Sequence, residues 1–210
     1  MLTCEGAARA YYHCMRILLD TLLPRTCLMC ASPAGESNLC PGCLTDLPRL
    51  SATCSRCALP LPANDQAICG ACSKHPPPWH YAVAACDYCF PVKQLVRRFK
   101  FNRSLSCGEV LMSELLTRLD ACSNRLPAVI APVPLHRLRH FTRGYTQADL
   151  IARRLGRVNG IQVISDLLQR TRRTRAQSGL DAAERRRNTR GAFKFNPRFR
   201  TACPDSVALV

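Results

Sequence analysis

Over residues 7–23 apolar groups recur at helical spacing (Ala7, Tyr11, Cys14, Leu18, Leu22), and Pro24 ends the run. The pattern predicts an amphipathic lead-in helix that packs against protein. From 25 to 75 no periodic segment of any length occurs; paired cysteines stand among Pro, Gly and Ser. The stiff run Pro76-Pro77-Pro78 then marks a boundary. Beyond it the pattern changes. Residues 81–88 read as a strand and 91–101 as a helix with Leu95, Val96 and Phe99 inward. A second helix is expected over 109–121, with Val110, Leu111, Leu115, Leu116 and Leu119 as its apolar positions. Residues 128–133 have the length and flanks of a buried parallel strand. A helix follows over 146–158, mixed strand and turn signals over 161–168, and another buried-strand pattern at Val207-Ala208-Leu209-Val210. Strands alternating with helices predict an α/β domain with a mostly parallel sheet over 81–210, behind a lead-in at 1–26 and a small module at 27–75.

Charge sharpens the division. The 210 residues carry a net +16, unevenly placed. Six of the thirty Lys and Arg residues precede Lys93, and the other twenty-four lie between Lys93 and Arg200 against seven acids. Arginines in tight clusters imply a polyanionic partner: phosphate, pyrophosphate or nucleic acid. Apolar residues at 47% support a real core and exclude general disorder. The apolar stretch near residue 20 is interrupted by Asp20 and has no small-residue cleavage site after it, so neither a secretory signal nor a membrane span is expected, and the cytoplasm is the expected location.

Fifteen cysteines are many for this length, and their odd total and paired spacing favour metal in a reducing compartment over disulfides. Four Cys-x-x-Cys pairs stand in succession: Cys27/Cys30, Cys40/Cys43, Cys54/Cys57 and Cys69/Cys72. A two-residue gap lets both thiolates of a knuckle face one ion, and two knuckles complete a tetrahedral shell. Two closed, structural zinc sites are expected, supplying the folding free energy that the module's missing core cannot. Sequential pairing joins the first two knuckles and the last two; interleaved pairing joins first with third and second with fourth. The loops suit short hairpins and favour the sequential form. Cys86 and Cys89 repeat the spacing without a second knuckle and read as buried free thiols. Cys107, Cys122 and Cys203 read as core or surface thiols, and Cys4 and Cys14 as non-ligands.

Two basic motifs follow. The first, residues 133–145, lies between a buried strand and a helix, where open parallel sheets bind ligands. Arg137, Arg139 and Arg143 would stand there, with Gly144 allowing a tight turn and helix N–H groups adding to an anion cradle. The second is the arginine run at Arg170, Arg172, Arg173 and Arg175, followed by Gln177 and then by Arg185, Arg186, Arg187 and Asn188.

Taken in order, these parts resemble the ComF/GntX family of competence and DNA-utilisation proteins. The resemblance rests on the paired cysteines, Pro77-Pro78-Trp79, Lys100-Phe101, Pro132-Val133-Pro134-Leu135, Arg143-Gly144-Tyr145 with Gln147, and Gln177, Leu180, Glu184-Arg185 and Asn188. It implies a zinc-ribbon module followed by a domain similar to type I phosphoribosyltransferases, which bind phosphoribosyl pyrophosphate with magnesium. Carried over by position, Pro134, Leu135, Arg137, Arg139, Arg143 and Gly144 look like the pyrophosphate-contacting loop. Arg170, Gln177, Arg185 and Asn188 match the family's mobile loop. Tyr145 and Thr146 stand where the family more often has Phe and Asn. The acidic pair and Thr/Gly-rich loop that would follow the last strand are not in this sequence, so the resemblance implies a C-terminally incomplete domain with no productive phosphoribosyl pyrophosphate site and no catalytic residue to name. Magnesium is expected only where that loop is present.

Two functions compete on these residues. One is a phosphoribosyltransferase-like protein working with competence or DNA-processing machinery on a phosphorylated ribose ligand. The other is a zinc-ribbon accessory factor binding single-stranded DNA, with Arg172, Arg173 and Arg175 on its phosphates. Aromatic residues at 6% give the second no clear row of exposed rings for base stacking.

Overall fold

A computed structural model describes residues 25–62, 67–122, 126–135, 146–175, 177, 179–199 and 204–210. The expected lead-in helix at 7–23 lies outside them, as do Arg137, Arg139, Arg143, Gly144, Tyr145 and Cys203. The chain divides into two compact units. One runs to Arg97 and takes in Leu105–Glu114; the other comprises Arg98–Ser104 and Leu115–Val210. No helix among the described residues is long and apolar enough to cross a membrane.

In the first unit the paired cysteines alternate with two one-turn helices, α1 (Pro41–Thr45) and α2 (Gly70–Lys74). Helix α3 (Val92–Phe101) buries Val92, Leu95 and Phe99, spaced three and four apart, as its apolar pattern requires. Helix α4 (Leu105–Asp120) starts four residues before its expected beginning and buries Cys107, Gly108, Val110 and Met112. Arg49 meets Glu114 of α4 in a two-pronged pair, Nε to Oε2 at 2.6 Å and Nη2 to Oε1 at 2.9 Å, a geometry that fixes both side chains.

The strand expected at 81–88 does not form. Its backbone is spent on single hydrogen bonds to the cysteine-rich loops: Ala82 N–H to Ser55 O, Leu50 N–H to Ala85 O, and Asp87 N–H to Pro48 O. One bridge, Arg49 to Cys86, is all the pairing it makes. The expectation of two buried thiols there is also corrected. Without a strand to carry them inward, Cys86 is half-buried and Cys89 is exposed.

The second unit is built on a parallel sheet of order β2-β1-β5: β1 is Val129–Ala131, β2 Gln162–Val163 and β5 Val207–Leu209. Side chains of β1 alternate between faces. Val129 and Ala131 pack with Leu167, Ile164 and Phe199; Ile130 packs with Ala152 and Leu155 of helix α5 (Gln147–Asn159) and with Leu115, Leu116 and Leu119 of α4. Gly156 lets α5 settle on β2, since a Cβ there would lie 2.5 Å from Val163 Cγ2. Gly160, at φ 66°, ends the helix in the left-handed conformation. The buried Gln147 side chain donates to the carbonyls of Phe99 and Lys100 at the end of α3, at 3.4 and 3.3 Å. Strand β5 departs from its buried pattern: Val207 and Leu209 are exposed, although their pairing sets them on the same face as Val129 and Ala131. An antiparallel hairpin of β3 (Leu168–Arg170) and β4 (Phe193–Phe195) carries helix α6 (Ala182–Thr189) between its strands.

Candidate metal centre and basic hairpin

The eight paired cysteines gather into two groups of four, Cys27, Cys30, Cys40 and Cys43, and Cys54, Cys57, Cys69 and Cys72. Pairing is sequential. Within each group all four Sγ atoms lie within 4.8 Å of one another. Cys30 and Cys40 approach to 3.6 Å and Cys57 and Cys69 to 3.7 Å. A tetrahedron with Zn–S legs of about 2.3 Å has an S···S edge of about 3.8 Å, so the donor set fits zinc. Four thiolates leave no position for water, and the role is structural.

The two sites repeat one local design. Thr26-Cys27-Leu28-Met29-Cys30-Ala31-Ser32-Pro33 and Thr53-Cys54-Ser55-Arg56-Cys57-Ala58-Leu59-Pro60 share the pattern T-C-x-x-C-A-x-P. In each the Thr bridges the Pro, and the first Cys donates its N–H five residues on, Cys27 to Ser32 O at 2.7 Å and Cys54 to Leu59 O at 2.8 Å. Each Ala turns the chain at positive φ, 62° and 60°, and donates back to the first Cys carbonyl. The second knuckle in each site opens a helix, with Cys40 and Cys69 as N-caps of α1 and α2. Reading the cysteines alone missed this repeat; the flanking Thr, Ala and Pro were the available signal.

Electrostatics separates the thiols. Burial pushes Cys27 and Cys54 up, but N–H groups aimed at their sulfurs outweigh it and bring each to about 6. These come from Cys30, Cys40 and Met29 for Cys27, and from Cys69, Cys57 and Arg56 for Cys54. Cys30 is lowered by hydrogen bonds from Ser32. Burial and the neighbouring thiols Cys57, Cys69 and Cys54 push Cys72 up to about 12, and hydrogen bonding with Cys30 and Cys40 raises Cys43. Each metal-free site thus holds one thiol ready as a thiolate and another that a cation must deprotonate.

The basic hairpin is internally tied. Asp181 and Glu184 form a reciprocal cap on α6: Glu184 N–H donates to Asp181 Oδ1 at 2.8 Å, and Asp181 N–H to Glu184 Oε2 at 2.9 Å. At the other end Arg172 Nη2 donates to the carbonyls of Asn188 and Arg190, at 3.2 and 2.9 Å, where a cation complements the helix dipole. The Asn188 side chain takes both backbone groups of Arg175, accepting at 3.2 Å and donating at 3.1 Å. Arg170 stacks over Phe193, 5.2 Å from the ring centre, and donates to Thr174 Oγ1 and, at 3.3 Å, to Pro134 O. Arg170 and Pro134 are therefore brought together, as are Arg172, Arg175 and Asn188. Leu135 is half-buried just after β1. Arg173, Arg175, Arg185, Arg186 and Arg187 are exposed. Gln177 is half-buried, and its Oε1 has no partner among the described residues.

The double zinc ribbon domain family matches residues 18–73. DNA utilization protein YhgH of Escherichia coli (strain K12) is 33% identical over 179 residues, covering 82% of this chain and 78% of that protein; YhgH of Salmonella typhimurium gives the same figures. Competence protein F of Haemophilus influenzae is 34% identical over 164 residues, covering 76% of this chain and 71% of that protein. No solved structure matches.

Proposed function

Since this chain belongs to the ComF family, together with the DNA utilization and competence proteins it resembles, we propose that it serves DNA uptake or utilisation by holding a single-stranded DNA backbone on its β3–α6–β4 hairpin. The observation that carries this reading is the hairpin's charge. Between Arg170 and Arg198 ten cations face two carboxylates, and both carboxylates are committed to the α6 cap. Arg172 and Asn188 shape the hairpin, while Arg173, Arg175, Arg185, Arg186 and Arg187 are left to meet phosphates. The zinc ribbons support folding of the first unit and take no chemical step.

A second reading is favoured by one contact. The hydrogen bond from Arg170 to Pro134 O ties the hairpin to the segment leaving β1, where the family resemblance puts a pyrophosphate-contacting loop. A phosphorylated ribose would then be the ligand, held from the Pro134-Leu135 side.

Anisotropy titrations of labelled oligothymidine and of phosphoribosyl pyrophosphate as competitor, at several salt concentrations, separate the two. The expected result is a steep salt dependence for DNA. Replacing Arg173, Arg175 and Arg187 together by Gln should lower the log–log slope by about 2, at about 0.7 per phosphate contact on a single strand. A slope unchanged by the triple replacement would overturn the DNA reading. Competition by phosphoribosyl pyrophosphate only with magnesium would favour the second.

A further inference from the structure

The approach to α3 presents a surface that neither the zinc sites nor the hairpin uses. Helical winding starts before Val92: Lys93 N–H donates to Cys89 O at 2.8 Å, and Gln94 and Leu95 N–H to Pro91 O at 3.0 and 3.1 Å. Phe90, Lys93 and Arg97 therefore fall three and four residues apart on one face, away from the buried Val92 and Leu95. Phe90 is 73% exposed and Tyr88, two residues earlier, 60%. Lys93 and Arg97 are exposed, and neither is drawn into an ion pair with a described residue. No carboxylate occurs from Tyr88 to Arg97. The nearest acid, Asp87, turns Oδ1 to the Tyr88 N–H at 2.7 Å.

The two uncovered rings leave apolar area in water, where burying a Phe side chain is worth about 1.5–3 kcal/mol, and the two cations beside them meet no carboxylate among the described residues. The chemistry that satisfies both halves at once is a polyanion carrying flat apolar faces. Lys93 and Arg97 are about 6 Å apart along the helix axis, a step commensurate with that between successive phosphates of an extended strand. Every base offers a face on which an aromatic side chain can stack. A membrane surface would call for a broader apolar face than two rings, and an apolar protein partner would leave the cations unmatched.

We propose that Tyr88, Phe90, Lys93 and Arg97 form a base-stacking platform for single-stranded nucleic acid, the rings taking bases and the cations the adjoining phosphates. It deepens the nucleic-acid reading of the hairpin, on which it rests, but is a separate contact in the other unit. The sparse aromatic content hid it: the rings are few, but Tyr88, at the end of the expected strand, and Phe90, just past it, are both displayed to solvent.

The test uses the full, zinc-loaded chain and labelled oligothymidine, with oligouridine in parallel. Phe90→Ala should weaken binding roughly 5- to 150-fold with the salt slope unchanged, because stacking is not counter-ion release. Phe90→Trp should restore binding and Phe90→Leu should not. Lys93→Gln with Arg97→Gln should lower the slope by about 1.4. All four positions are exposed, and unchanged zinc content and circular dichroism check that each variant is folded. Weakening of either homopolymer by Phe90→Ala supports the platform. Parent-like binding by Phe90→Ala or full function of Phe90→Leu would overturn it, as would equal affinity for a duplex, whose bases cannot stack on the rings. If the hairpin variant loses binding while Phe90→Ala does not, the platform fails and the hairpin reading stands; the reverse result removes the hairpin and keeps the platform.

Discussion

Replacing Cys54 by Ser should cost the chain one of its two metal ions and unfold one ribbon. The buried residues of the second site are Cys54, Cys69 and Cys72, and among the described residues the partly buried apolar groups packed against them are Cys57 and Leu61. A single leucine contributes at most about 3 kcal/mol by burial. Ordering the backbone from Cys54 to Cys72 opposes folding by about 1–2 kcal/mol per residue. Structural zinc, at about 10–16 kcal/mol of apparent binding free energy near pH 7, is several times that leucine's contribution and offsets a large part of this cost. Shared equally among four thiolates, the loss of one ligand is worth about 2.5–4 kcal/mol, or roughly 100- to 1,000-fold in zinc affinity. The buried serine hydroxyl, not ionised at neutral pH, cannot replace it. Elemental analysis after dialysis against a chelator should give one zinc per chain for Cys54→Ser and two for the parent and for Cys86→Ser. Limited proteolysis should open new cleavage between residues 54 and 72 in Cys54→Ser while the parallel-sheet unit stays protected. Two ions retained at parental affinity, with the segment still protected, would refute the claim that metal takes the place of a core.

Gly156→Ala should destabilise the second unit by about 1–2 kcal/mol, lowering its melting temperature by several degrees, because overpacking outweighs the helix-propensity gain. Its Cβ would stand 2.7 Å from the Ile161 carbonyl as well as against Val163, and backbone cannot yield as a side-chain tip can; a rise in melting temperature by calorimetry would contradict this. Zinc loading at pH 7.5 should release fewer than four protons per ion, since Cys27 and Cys54 at about 6 are already thiolates. As pH falls through 6 these two thiols take up protons in the metal-free state and release per zinc rises; titration calorimetry in buffers of different ionisation enthalpy measures it, and a count independent of pH would contradict the assignment.

Four Cys-x-x-Cys pairs determine a metal module without tertiary information, because the two-residue gap is itself a chelating geometry and Cys ligation needs no distant partner. The helices α3 and α5 and the parallel strand β1 were legible for a related reason: a period of 3.6 or a short bounded apolar run reports one-sided or complete burial along a local stretch. Residues 81–88 show where that local logic ends. Their short apolar run suits a strand, yet a strand needs a neighbour along its whole length, and here the available partners are the irregular loops around Pro48 and Ser55. Tertiary structure alone decided that Tyr88 and Phe90 face solvent, that Arg172 closes the end of α6, and that Arg170 reaches Pro134 thirty-six residues away. An arginine has the same composition and charge whether it caps a helix, stacks on Phe193 or waits for a phosphate. What distinguishes these roles is which carbonyls and rings the fold brings within reach, and that is a property of long-range packing.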